Sequence, residues 1–202
     1  QQLDERVMLL KNSTNLGIVE SRNIALSKSK GKYVAVLDSD DVWADIHKLK
    51  NQYQIMEKEN LVLVGGGVIK IGFDGTELSR YLNPITDNQI RKVFLYQNPF
   101  AHSSVVFKRE AAIKVGLYCK DFLIGEDYDL FLRIAQEGQV KNLNSYVIKY
   151  RVHSQNECVK KKYEALKCNL KIIKQYKNKF PNYYLAYSRR VLRLFIGYML
   201  FS

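Results

Sequence analysis

Three carboxylates fall within four positions in DSDD, where Asp38, Asp40 and Asp41 follow directly on the apolar run YVAVL. In extended backbone alternate side chains share a face, so Asp38 and Asp40 are expected to point the same way. Two such sets of oxygens suit a hard divalent cation that also holds phosphates. A plainer reading is that Asp and Ser punctuate a strand end and cap the next segment. Like charges this close repel unless something positive lies among them, and that favours the cation. A second acid pair, Glu126 and Asp127 of GEDYDLFLRI, stands where a helix begins. The helix dipole alone accounts for acids there, while a carboxylate fixed at that point is also a competent general base for an attacking hydroxyl. YRVH ends in His153, with Arg151 two residues before it; the pair either meets a metal or diphosphate or is structural. Arg22, in SRN, sits on a predicted helix and either faces an anion or is solvated. His47 and His102 show no metal-ligand spacing, and neither GxxxxGK[ST] nor GxGxxG occurs.

The elements that must carry these residues alternate between helix and strand. VMLLKN, residues 7–12, reads as a short strand and residues 19–30 as a helix closed by Gly31. YVAVLD is an unbroken apolar run rich in β-branched residues, the pattern of a strand covered on both faces. Residues 47–60 read as a helix with Leu49, Tyr53 and Met56 on its inner face. LVLVGGGVIKIG is a strand whose three glycines mark a bend or a close backbone approach, and FDGT supplies a hairpin turn. Residues 85–97 read as a helix, 102–109 as a strand, 109–116 as a short helix, 125–138 as a bounded helix and 145–153 as a strand. Lysine-rich helices broken near Pro181 come next. The expected organisation is a catalytic body over residues 1–153 and a basic helical tail over residues 154–202.

Composition bounds the class. A chain of 202 residues with 47% hydrophobic content has enough apolar material for a real core. Three cysteines without CxxC spacing indicate neither a disulfide framework nor structural zinc, and a reducing cytoplasm is the expected setting. The net charge of +12 is unevenly spread: residues 1–153 contribute +3 and residues 154–202 contribute +9. The N-terminus has no signal-peptide pattern, and LFIGYMLF, from Leu194 to Phe201, falls short of the roughly 20 residues of a membrane span.

Taken in order, NLGIVESRNIALSKSKGKYVAVLDSDDVW, NPFAHSSVVFKRE, GEDYDLFLRI and YRVH resemble the family 2 glycosyltransferases of the GT-A fold, from about Arg6 to Asn156. The resemblance implies an α/β fold, a Rossmann-like mixed sheet flanked by helices, with the helical tail appended. It implies transfer of a sugar, with inversion, from a nucleotide-diphosphate donor to an acceptor hydroxyl. The metal, Mg²⁺ or Mn²⁺, would fall to Asp38, Asp40 and Asp41, and the base to Asp127 with Glu126 beside it. Arg22 matches an arginine near the nucleotide, Asp38 and Asp40 face the donor, and His153 matches a histidine by the metal and diphosphate. A UDP-sugar is the leading donor, the acceptor a glycan or a lipid-linked one, and the setting bacterial surface polysaccharide or lipopolysaccharide synthesis. Family members open with a strand and helix of the nucleotide-binding half, which this chain lacks. It is therefore expected to be an N-terminally truncated fragment that binds donor poorly.

Two other classes compete. A DxD metal-dependent phosphotransferase would need a Thr or Ser soon after the acids, where Val42 and Trp43 stand. A catalytically incomplete basic module for RNA or membrane would rest on the tail. Its aromatics Tyr163, Tyr176, Phe180, Tyr183 and Tyr184 have helical spacing, which favours packing over base stacking, so no nucleic acid is expected. Val191, Leu192, Phe195, Tyr198 and Met199 beside Arg189, Arg190 and Arg193 suit a helix resting on an anionic membrane surface, giving a cytoplasmic protein held peripherally at the inner face.

Overall fold

The computed structural model describes residues 4–152 and 161–201, and in them a mixed sheet carries helices on both faces. In chain order the elements are α1 (Gly17–Lys28), β1 (Tyr33–Ala35), β2 (Val42–Trp43), α2 (Lys48–Glu59), β3 (Leu63–Ile71), β4 (Glu77–Tyr81) and α3 (Asp87–Val93). A 3-10 turn over His102–Ser104 leads to β5 (Val106–Lys108), α4 (Arg109–Lys114), α5 (Glu126–Ile134), β6 (Val140–Arg151), α6 (Lys162–Gln175) and α7 (Tyr183–Phe201). The sheet runs β1-β5-β3-β6-β2, with β4 also on β3. Among the described residues only β3 and β6 run parallel. The long central β3 pairs with β6 along one edge, and with β5 and then β4 along the other.

The glycine run in β3 serves close approach. A Cβ on Gly66 would stand 2.6 Å from Val147 Cγ2, and one on Gly67 2.6 Å from Leu82 Cδ2. Any side chain there would push β6 or the end of the β4 hairpin away. The larger apolar cluster gathers Leu63, Phe94, Phe107, Phe131 and Leu132 with Ile172, Ile173, Tyr176, Phe180 and Ala186 of the tail helices. A smaller cluster, Met56, Leu61, Val64 and Val106, fills the space below α2. The tail helices thus share the body's core, while the expected boundary near Ser154 lies outside the described residues.

Several expectations are corrected. Residues 7–12 form no strand, and Val7, Met8 and Leu9 are exposed without a ladder partner among the described residues. α1 ends at Lys28, with Ser29 and not Gly31 at its end. β1 covers only three residues and is half-buried, because it pairs on one side only, with β5; Leu37 beyond it is exposed. α2 turns Lys48, Gln52 and Met56 inward, and leaves Leu49 and Tyr53 exposed. The buried polar pair has work to do: Gln52 Nε2 donates to Val64 O at 3.1 Å and Ser104 O at 2.8 Å, and Lys48 Nζ lies 4.7 Å over the Trp43 ring. α3 is shorter than expected: the reciprocal capping box of Thr86 and Gln89 sets its start at Asp87, and it ends at Val93. His102–Ser104, expected to begin a strand, turn instead, and β6 starts five residues earlier than the sequence suggested.

Candidate active site

β1 delivers the acidic turn. Val36 N donates to Val105 O at 3.2 Å, which continues the pairing with β5 one step past the strand, and Asp38 N then donates to Ser103 Oγ at 3.0 Å. Asp41 N closes the turn on Asp38 O at 3.1 Å. The backbone therefore bends at Asp38, so the acids are splayed by a turn rather than stacked along an extended strand.

Arg22, on α1, joins the two acid clusters. Its Nη2 donates to Asp38 Oδ1 at 2.7 Å and its Nη1 to Glu126 Oε1, and its guanidinium lies 5.7 Å from the centre of the Tyr118 ring. Residues far apart in sequence thus meet on one guanidinium. On the other side of Asp38, His102 Nδ1 lies 2.9 Å from Oδ2, and its Nε2 lies 2.8 Å from Tyr118 Oη. Burial works to raise the Asp38 carboxyl, but the hydrogen bond and charge of His102, with Arg22 behind them, outweigh it and hold the group down at about 2. Burial also opposes the Arg22 charge, yet Asp38 and Glu126 push its pKa higher still.

The acids at the start of α5 are unequal. Glu126 is nearly buried; desolvation and the neighbouring Asp127 charge raise its pKa, with Arg22 opposing. Asp127 is half-exposed and accepts from Asn98 Nδ2 at 3.1 Å, while Asn98 Oδ1 is itself fixed by Phe100 N at 3.2 Å. Asp127 is therefore both oriented and reachable, the combination a base requires.

Asp41 is built in differently. Its Oδ2 accepts from Ser103 Oγ at 2.6 Å and its Oδ1 from Arg151 N at 2.9 Å. Burial raises its pKa against those two bonds. Arg151 completes the clamp, with Nε on Asp40 O at 2.9 Å and Nη1 on Phe73 O at 2.7 Å, so it ties the acidic turn to the β3–β4 hairpin. His153 lies outside the described residues.

Carboxylate oxygens are the right donor class for a hard cation, but no three His, Cys, Asp or Glu among the described residues cluster as a metal site. With both Asp41 oxygens engaged in the fold, the carboxylates that fit an incoming cation are Asp40 and Asp38, both by exchange of present partners. Sequence reasoning singled out Arg22, Asp38 and Glu126, which meet on one guanidinium, and Asp127 beside them. The NPFAHSS stretch that holds Asn98, His102 and Ser103 entered only through its position in the chain, and Tyr118 was missed. The hydroxyl of Ser103 had a signal in its place within the NPFAHSS stretch, whereas Tyr118 had none.

α5 is held from behind by the tail. Cys168 Sγ donates to Ile124 O at 2.8 Å, Ile172 packs against Gly125, and Tyr176 Oη donates to Asp129 Oδ1 at 2.6 Å. Arg133 grips the other Asp129 oxygen at 2.6 Å. Arg190, expected on the outer face of α7, is buried; it donates to Leu95 O at 2.9 Å and Tyr128 Oη at 3.1 Å.

The family model described as Glycosyl transferase family 2 matches residues 1–116. The chain is 34% identical over 159 residues to the O-antigen biosynthesis glycosyltransferase WbnJ of Escherichia coli, a match covering 77% of this chain and 61% of that one. It is 32% identical over 152 residues to the Escherichia coli UDP-Glc:alpha-D-GlcNAc-diphosphoundecaprenol beta-1,3-glucosyltransferase WfaP, covering 75% of this chain and 58% of that one. The chain thus spans about three fifths of the length of these relatives. The mannosyltransferase PcManGT from Pyrobaculum calidifontis, solved in complex with GDP-Man and Mn2+, superposes with a TM-score of 0.59 at 18% identity, covering 93% of this chain and 52% of that one. At that identity the likeness shows the fold, which is the GT-A fold.

Proposed function

Because the chain belongs to glycosyl transferase family 2, we propose that it serves in the transfer of a sugar from a nucleotide-diphosphate donor to an acceptor hydroxyl, with inversion at the transferred carbon. The observation that carries this reading is the Arg22 bridge between Asp38 and Glu126, which makes the strand-end acids and the helix-start acids one site. Departure of a nucleoside diphosphate builds negative charge, and the site offers Arg22 and a carboxylate set that suits Mg²⁺ or Mn²⁺ to meet it. Such a cation, held by Asp40 and Asp38, would supply Lewis-acid stabilisation of the leaving diphosphate. Asp41 supports them from the fold, and His153 stands as a further donor-side residue.

Asp127 takes the acceptor proton. It must be ionised and aimed, and Asn98 Nδ2 at 3.1 Å aims it while leaving its second oxygen for the acceptor hydroxyl. Glu126 is the poorer base because Arg22 occupies it. Its role is to hold Arg22 beside Asp38 and so keep both halves of the site in register.

A UDP-sugar donor and a glycan or lipid-linked acceptor agree with the reaction named for WfaP, and a place in surface polysaccharide synthesis agrees with the O-antigen biosynthesis named for WbnJ. A cytoplasmic setting agrees with the free thiols of Cys119 and Cys168. The test is consumption of a panel of nucleotide sugars by the protein at its full encoded length, with Mg²⁺ or Mn²⁺ supplied. Release of the nucleoside diphosphate from one donor is the expected result. Hydrolysis of simple phosphate esters with no nucleotide sugar consumed would instead return the phosphotransferase reading.

A further inference from the structure

α7 is two-faced, and the face it turns away from the body has no partner among the described residues. Ala186, Arg190 and Gly197 lie inward, where Arg190 is bonded to Leu95 and Tyr128. With about 3.6 residues per turn, Leu185, Leu192 and Ile196 form one outward row, and Tyr184, Val191 and Phe195 form the next. All six are exposed, Tyr184 at 86%, Leu185 at 65%, Phe195 at 61% and Leu192 at 58%. Six large apolar side chains in one stripe exceed the scattered exposure of an ordinary surface.

The edges of the stripe are basic. Arg189 and Arg193 are exposed along one flank. Along the other, Lys174 of α6 lies 5.4 Å over the Tyr187 ring. Lys177 and Lys179 are exposed in the turn that leads into α7, and α7 itself contains no Asp or Glu. No helix is long and apolar enough to cross a membrane among the described residues. An apolar stripe between cationic borders is the pattern of a helix lying in the plane of a lipid interface, with its apolar side chains below the headgroups and its cations among them.

We propose that the outward face of α7 docks on an anionic lipid surface. The charge complementarity selects this occupant: a second copy of the chain would set Arg189 and Arg193 against the same cations. Through Arg190, the docked helix is bonded to Tyr128 of α5, so the seat on the lipid is fixed to the element that carries Glu126 and Asp127. The inference does not depend on the glycosyl-transfer reading, and its test needs no substrate.

The 202-residue chain is mixed with vesicles of phosphatidylcholine alone or of phosphatidylcholine with phosphatidylglycerol, and the bound fraction is read after sedimentation. The expected result is binding to the phosphatidylglycerol vesicles that weakens as salt rises, and at least about tenfold weaker partition onto phosphatidylcholine alone. Arg189→Glu/Arg193→Glu is expected to lower partition about tenfold or more, and Leu192→Glu/Phe195→Glu to abolish it. All four residues are exposed, so both variants keep the wild-type circular dichroism. Wild-type chain left in the supernatant at low salt would overturn the proposal. Binding that survives both double variants would do the same, as would a dimer in solution that Leu192→Glu/Phe195→Glu disperses, which would give the face to a second copy.

Discussion

Replacing Arg22 by Met tests whether the two acid clusters are held together by one guanidinium. The substitution keeps much of the apolar stem and removes the charge that Asp38 and Glu126 share. Its cost can be worked from Asp38, whose carboxyl is held from 3.8 down to about 2, a difference worth roughly 2.4 kcal/mol. His102 supplies more of that than Arg22 does, and the Asp38 side chain is 32% exposed, so Arg22's part is about 1 kcal/mol. Glu126, whose side chain is only 11% exposed, is left without its cation and adds about 1–2 kcal/mol. The sum, about 2–3 kcal/mol of lost stability at pH 7, is within reach of urea denaturation. The pH dependence fixes its origin. Asp38 is depressed in the folded state, so its contribution is fully present above pH 3.8 and is lost as pH falls toward 2. Glu126 is raised, and rises further without Arg22, so in the variant it takes up a proton first and relieves the repulsion. The destabilisation should therefore be largest at pH 7 and above, and should shrink toward pH 4. A loss that is the same at pH 7 and pH 4 would refute Glu126's electrostatic part in it, and no loss at all would refute the bridge itself.

Two further predictions concern the scaffold. Burial holds Lys48 down at about 8 from 10.5, so the native state penalises its charge fully below pH 8, and the penalty disappears as pH rises through 10.5. Lys48→Met should accordingly raise stability by about 1–3 kcal/mol at pH 7 and by little at pH 10.5, measured by thermal melts across that range; a destabilised variant at pH 7 would mean that the stacking on Trp43 outweighs desolvation. Tyr176→Phe strips a hydrogen bond from an Asp129 oxygen inside the core and should cost about 1–3 kcal/mol in urea denaturation, whereas a neutral result would mean that α6 merely rests on the body.

What could be read from the sequence depended on how far the chemistry reveals itself locally. The acids opening α5 are a strong local signal, because the helix-dipole preference acts on the residues that display it, whereas the apolar run before Asp38 promised a strand covered on both faces and proved a half-buried one of three residues. The inner face of α2 was read correctly only at Met56, because periodicity counts apolar residues and its other buried positions are Lys48 and Gln52, made acceptable by a Trp ring and by backbone carbonyls contributed from elsewhere in the chain. Arg190 misled for the same reason: its partners Leu95 and Tyr128 are invisible from α7 alone. The apolar residues at 7–12 resembled a strand, but a strand exists only where a ladder receives it. His102 belongs to the site through its contact with Asp38, and Tyr118 through His102 and Arg22, and no local spacing encodes those.

The central claim is that the turn acids bind the donor's diphosphate through a cation, while Asp127, across the Arg22 bridge, does only proton transfer. The most direct measurement sets donor binding beside sugar transfer, with Mn²⁺ present, for Asp40→Ala and Asp127→Asn at the full encoded length. Asp127→Asn should keep metal-dependent donor affinity and lose about 100-fold or more in transfer rate, while Asp40→Ala should lose both. Transfer retained by Asp127→Asn, or metal-dependent donor binding retained by Asp40→Ala, would contradict the account.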